Sequence, residues 1–238
     1  MTNPNRPLNV IPRKKGETLQ PKYKISYSKI KEIILGEPDI NTQALLAYQY
    51  GFACRGGELA RVYTHKRYDS KNDAVYLCEI EGAKIRDIET KMFPPEVAFL
   101  KPNFKQHIWD KHKHIVRVPK QEVFINKDFE PWLYNIIIDW VRGKDSDECL
   151  FRFKDSAIRG RISRRLKSFD LDFSPHWLRY ARGSHIADLT RDVFAVKDLL
   201  GHKRVETSLK YIGGLRSKLY DVIKPGTTFD SYLGERNE

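Results

Sequence analysis

Two hydrophobic periods divide this sequence, and together they limit the folds open to it. Residues 25–35, the run 39–63, residues 129–141 and most of 156–223 place apolar side chains at the three-to-four spacing of an amphipathic helix. The stretch between about residues 74 and 120 instead holds short β-branched and aromatic runs: 75–80 (VYLCEI), 96–100 (EVAFL) and 115–118 (IVRV), the last stopping before Pro119. The run 39–63 predicts two short helices, broken near Gly51–Gly57. Residues 129–141 predict one helix with Trp132, Leu133, Ile136, Ile137 and Trp140 on its apolar side. Residues 156–168 predict a very basic helix, and 170–200 further helices with Gly201 at the end of one. The pattern implies an α+β fold, mainly α-helical, with a small antiparallel β-sheet. Residues 1–24 are polar, basic and proline-containing and read as a flexible arm. The folded unit then spans 25–225, and residues 226–238 read as a C-terminal tail.

The charge balance points to a partner class. Lysine and arginine total 43 against 31 aspartates and glutamates, a formal net charge of +12. Such an excess favours a polyanion, nucleic acid before an anionic membrane. No apolar run approaches the length of a membrane span, and the N-terminus lacks the apolar stretch of a signal peptide. We therefore expect an intracellular protein without a membrane partner. Cys54, Cys78 and Cys149 match no zinc or redox spacing and are expected to be reduced thiols.

Three separated segments carry chemistry. In the first, Arg55 follows an apolar helix at a glycine-rich turn, with Glu58 three residues on. A guanidinium fork suits phosphate oxygens, and a carboxylate at that offset can hold the fork in place. A surface ion pair at a helix start would look the same. In the second, His176-Trp177-Leu178-Arg179, His176 and Arg179 project from one helix face and can share a ligand. In the third, Gly201 predicts a sharp turn at a helix end that sets His202 just beyond it, and Tyr211 follows nine residues later on the next helix.

Together these segments resemble the tyrosine recombinases, the phage-integrase family. That family has an Arg-x-x-(Glu/Asp)-Leu box, then His-x-x-Arg, then Leu-Gly-His, and a tyrosine nine residues after the last histidine. Here these are Arg55–Leu59, His176–Arg179, Leu200–His202 and Tyr211, with 23 residues from Arg179 to His202. The resemblance covers roughly residues 25–225 and implies the family's catalytic fold. It also implies a lysine in a β-hairpin turn, which the segment 101–119 supplies. Counting back from its Val-Pro end gives Lys111, with Lys105 and Lys113 as alternatives. Two departures stand out. Tyr180 follows Arg179 where many members have a second histidine. Only about 24 residues precede the first helix, where members usually carry a core-binding domain. An excised domain and a minimal natural form both account for that.

The resemblance implies a site-specific recombinase that cleaves and rejoins DNA through a covalent 3′-phosphotyrosine, with no metal and no cofactor. Tyr211 would be the nucleophile, Arg55 and Arg179 the phosphate clamp, and His202 a hydrogen-bond donor. His176 would assist as base, Lys111 as general acid, and Glu58 would orient Arg55. Arg159, Arg161, Arg164, Arg165 and Lys167 on the basic helix would track phosphates, unless they form only a solvated face. Double-stranded DNA is the expected partner, with self-association into a tetrameric synapse. The setting would be the cytoplasm, at the nucleoid, or the host cell of a mobile element. A type IB topoisomerase or telomere-resolving enzyme would use the same residue types, and a non-catalytic DNA-binding module could keep the fold.

Overall fold

The computed structural model describes residues 25–69, 74–104, 108–109, 116–169, 171, 174–209 and 211. The arm, the C-terminal tail, the helix expected after Gly214, and Lys105, Lys111 and Lys113 lie outside the described residues.

The chain opens with α1 (Tyr27–Leu35) and α2 (Ile40–Gly51), whose first turns are closed by Ser26 and Asp39 accepting from Lys29 and Thr42 backbone N–H groups. A short polar side chain at this position satisfies amides that have no partner within the helix. α2 is the axle of the fold. It is buried from Ala44 to Gly51 and packs against α1, the short α3 (Gly56–Leu59), α4 (Pro131–Val141), α5 (Asp155–Lys167) and α6 (His176–Thr190). A helix apolar on all sides can only be central.

Antiparallel strands follow α3. The hairpin β1 (Val62–Asp69) and β2 (Ala74–Glu81) pairs Val62 with Glu81. β3 (Ile88–Met92), β4 (Pro95–Pro102) and β7 (Lys120–Asn126) form a three-stranded sheet in the order β3-β4-β7, and the short β5 (Ile108–Trp109) and β6 (Val116–Arg117) pair beside it. The strand-bearing region is thus wider than 74–120. Tyr63, expected to close a helix, lies in β1, and β7 begins just past Pro119, where the strand signal was expected to end. In β7 only Val123 and Ile125 face inward, so the apolar signal is thin.

α7 (Val193–Leu200), capped by Asp192, and α8 (Glu206–Leu209) complete the described elements. The main core joins α1, α2, α4, α5 and α6 to the sheet through Ile33, Leu45, Leu46, Phe99, Leu133, Ile137, Ile158 and Ile162. A second, smaller cluster of Ala53, Ala187, Val196, Leu200 and Tyr211 lies apart from it. No described helix is long and apolar enough to cross a membrane.

Candidate active site

The small cluster is where the three motifs meet. After α2 the backbone turns through Ala53 in the left-handed region (φ 50°), a conformation that is strained for a residue with a Cβ. Arg55 then starts α3. Its Nη1 donates to Glu58 Oε1 at 2.6 Å, while Glu58 Oε2 accepts the Arg55 backbone N–H at 2.8 Å. Glu58 is buried, so the carboxylate fixes the arginine from below, as the spacing predicted.

Arg179 is the most enclosed cation of the set, 1% exposed. Its two terminal nitrogens donate to the carbonyls of Ala53 and Leu200. Burial and the neighbouring Arg55 guanidinium lower its pKa to about 10. A guanidinium has five N–H donors, so these bonds fix its plane without exhausting it.

Gly201 ends α7 in the left-handed conformation (φ 60°), as its sequence position predicted, and the His202 backbone N–H closes on Lys197 O at 3.0 Å. A Cβ at Gly201 would lie 2.3 Å from Gln121 Oε1, so the turn is pressed against the end of the sheet. His202 Nδ1 is 2.8 Å from Ser208 Oγ, a buried hydroxyl on α8 that sets the ring's orientation. Tyr211 does not continue a helix. α8 stops at Leu209, and Tyr211 sits in a turn with its backbone N–H on Ser208 O at 3.0 Å. Its ring is 3% exposed and lies 6.0 Å from the His202 ring. Burial raises the phenol's pKa well above the usual range, and Arg179 and Arg55 act in the opposite direction.

The structure thus brings Arg55, Glu58, Arg179, His202 and Tyr211 together. His176 joins at one remove, its ring edge-on to Tyr180 at 5.2 Å. Beside it is a cleft of about 320 Å³ between Gly56–Gly57, Asp155 and Arg159 of α5, and Ser174–His176, with Gln49 buried at its wall and its amide unpaired.

The basic helix divides its charges. Arg161 Nη1 bonds Asp39 at 2.8 Å, and Arg165 bonds Ile33 O and Glu37 at 3.1 Å each. These two tie α5 to the α1–α2 junction. Arg159, Arg164 and Lys167 point to the other side and are exposed, with Arg159 also paired to Asp155. At about 100° per residue, positions 161 and 165 lie along one edge of the buried Ile158–Ile162–Leu166 stripe. The run of five basic residues therefore does not form one surface.

Sequence reasoning passed over Lys101. It is buried at the end of β4, and its Nζ donates to Phe52 O and Leu199 O at 2.8 Å each. Desolvation, the largest influence on it, lowers its pKa to about 8. Its strand register was the available signal, since Lys101 lies two and four residues from the inward-facing Phe99 and Val97.

No protein-family model matches the sequence, and no curated protein does. Solved structures match the fold. The XerA recombinase superposes with a TM-score of 0.54 at 18% identity, over 93% of this chain and 69% of that one. The Tn1549 transposon integrase, in complex with transposon right-end DNA, gives 0.53 at 12%, over 94% and 68%. The XerH site-specific recombinase, in a post-cleavage complex with its difH substrate, gives 0.52 at 13%, over 83% and 51%. The chain therefore spans about half the length of XerH. These structures, with the motif spacing, identify the fold of this chain as that of a tyrosine recombinase catalytic domain.

Proposed function

We propose that this chain cleaves and rejoins DNA strands as a site-specific recombinase, with Tyr211 as nucleophile. The observation that carries this reading is the convergence of Tyr211, Arg55, Arg179 and His202 at one cluster, from three segments far apart in sequence. The phenol oxygen attacks the phosphorus, a 3′-phosphotyrosine bond forms, and the bond to the 5′-oxygen breaks. Arg55 and Arg179 complement the charge that builds on the nonbridging oxygens, and His202 adds a donor there. Glu58 and the two carbonyls hold the arginines in place before substrate arrives. His176 serves as base toward Tyr211.

The departing 5′-oxygen needs a proton. Lys111 is the hairpin residue assigned to this by sequence, with Lys105 and Lys113 as alternatives. Lys101 is a fourth candidate, a buried cation on the carbonyls of Phe52 and Leu199, next to those that Arg179 bonds, with its pKa lowered to about 8. The reaction is metal-free, with the arginines supplying the positive charge. The phosphotyrosine conserves the bond energy, so a new 5′-hydroxyl reverses the step, and strand exchange is that reversal with a different partner. The exposed Arg159, Arg164 and Lys167, the adjoining cleft and the basic arm contact the duplex backbone. Protomers assemble on DNA as a synaptic tetramer, in the cell that hosts the recombination site.

The test is covalent trapping on a nicked suicide DNA in which the 5′-hydroxyl fragment diffuses away. Wild type accumulates a protein–DNA adduct with or without EDTA, and Tyr211→Phe gives none while still binding. Adducts from Tyr211→Phe would remove Tyr211 from the role, and an absolute requirement for Mg²⁺ in cleavage would contradict the arginine-based mechanism.

A further inference from the structure

Tyr211 follows α8, and its backbone N–H donates to Ser208 O at 3.0 Å. What fixes the ring is a surface of α6. Tyr180 stacks on it, with centroids 5.1 Å apart and planes at 26°, and its presence raises the Tyr211 pKa. Gly183 lies three residues on, on the same helix face. A Cβ there would come 2.8 Å from Tyr211 Cε1, 2.9 Å from Cδ1 and 3.0 Å from Leu200 Cδ1. The ring thus occupies the space that any side chain at position 183 would need. Glycine is a poor residue for a helix interior, and here its absent side chain makes room for the tyrosine.

Building on the proposed recombinase activity, we propose that Tyr180 and Gly183 form a seat that positions the Tyr211 phenol beside Arg55, Arg179 and His202. Tyr180 is a positioning residue that acts through Tyr211. It also touches His176 edge-on, which places it between the proposed base and the nucleophile. Two opposing influences meet on the phenol. Burial and the neighbouring Tyr180 favour the protonated form, while Arg179 and Arg55 favour phenolate, with the His202 ring 6.0 Å away. The seat thus fixes the direction of the oxygen and holds its proton until the base takes it.

Three substitutions separate these contributions in single-turnover cleavage of nicked suicide DNA. Gly183→Ala fills the seat and should slow adduct formation by ~10-fold or more, since ångström-scale misplacement of a reacting group is that costly. Its melting temperature should change by only a few degrees, because the gain in helix propensity offsets much of the cost of overpacking. Tyr180→Phe keeps the stack and loses the hydroxyl, so its pH–rate profile should rise at lower pH than wild type. Tyr180→Ala should lose both effects. The seat is also read without catalysis. With ¹³C-labelled tyrosine, the Tyr211 signal is identified by its loss in Tyr211→Phe. It should titrate at lower pH in Tyr180→Phe and shift in Gly183→Ala. Wild-type rates and pH profiles from both of those variants, with an unmoved Tyr211 signal, would overturn the seat. An adduct-free wild type would instead sink the recombinase reading and leave the spectroscopic test standing.

Discussion

The two hydrophobic clusters are held together by different forces. The main core joins five helices to a sheet with isoleucine, leucine and phenylalanine side chains, and its cohesion comes from apolar area removed from water. Among the described residues, the small cluster around Tyr211 has Ala53, Ala187, Val196 and Leu200 beside the tyrosine, with the partly buried Tyr180, Ile186 and Leu199 packed against it. Two buried cations supplement them. Lys101 bonds the carbonyls of Phe52 and Leu199, and Arg179 bonds those of Ala53 and Leu200. Adjacent pairs of residues on two distant segments are thus clamped by one cation each. Apolar contacts tolerate small slips, whereas hydrogen bonds from buried charges do not. The first kind of cohesion supplies stability, and the second holds a constellation to the tolerance that chemistry needs.

Conservative exchange of the two clamp arginines should break this comparison most visibly. Arg55→Lys and Arg179→Lys each keep a charge and lose the planar fork, and each should slow cleavage by at least ~100-fold, the scale of a lost transition-state donor. Their effects on folding should differ. Arg55 rests on a side chain, Glu58, that an ammonium can still pair with. Whereas one Lys101 nitrogen reaches both of its carbonyls, those of Ala53 and Leu200 are bonded by separate Arg179 nitrogens; a lysine at 179 should lose at least one of them, at about 1–3 kcal/mol, each kcal/mol being worth about 2–4 °C in a chain of this size. Thermal melting of the two variants checks this. Equal losses of stability would mean that the second cluster is not held by its cations.

The main core should show the converse. Ile162 is buried at the centre of α5 and has no role in the proposed mechanism. Ile162→Ala should cost about 2–5 kcal/mol through lost burial and the cavity left behind. Cleavage per folded molecule should stay at the wild-type level at a temperature where both proteins are folded. A large rate defect there would show that the site depends on fine packing of the distant core.

The same division explains what could be read from the sequence. The stripe Ile158–Ile162–Leu166 and the caps at Ser26 and Asp39 are local patterns, and the helices they mark are present. The Arg55–Glu58 bond and the Gly201 turn are also local, and both have the expected geometry. β1 (VYTHKRYD) holds few apolar residues and β7 (KQEVFIN) only two that face inward, too few to register as strands without their partners. The inward pairing of Arg161 and Arg165 depends on carboxylates more than a hundred residues earlier, so the helix sequence alone presented all five basic residues as equivalent. Lys101 was missed for a related reason. A buried lysine runs against the ordinary placement of its side chain, and only the meeting of Phe52 and Leu199 gives it partners. Polar organisation of the site is a tertiary property, even where the residues that do the chemistry are visible as motifs.

The smallest expected effect tests whether Lys101 is indeed a cation enclosed by the fold. A lysine in the unfolded chain titrates near 10.5, whereas burial brings Lys101 down to about 8. Below pH 8 both states hold the proton, and the native state bears the full cost of the enclosed charge. As pH rises above 8 the native state releases the proton while the unfolded chain keeps it, so this group makes the fold more stable with rising pH. The limit is about 1.4 kcal/mol per pH unit. Other buried groups oppose it at higher pH. Cys54, pushed up to about 12, stays protonated in the fold when the unfolded thiol ionises near 9, and Tyr48, Tyr50 and Tyr211 do the same from about 10. The informative window is therefore pH 8 to 9, and the informative quantity is the difference between wild type and Lys101→Met. The variant leaves the Phe52 and Leu199 carbonyls without their donor, which lowers its melting curve at every pH without tilting it. Wild type should gain about 1 kcal/mol on the variant across that window, roughly 2–4 °C in melting temperature. Parallel melting profiles would mean that Lys101 keeps its proton through pH 9, and its candidacy as a proton donor poised near neutrality would fall with that result.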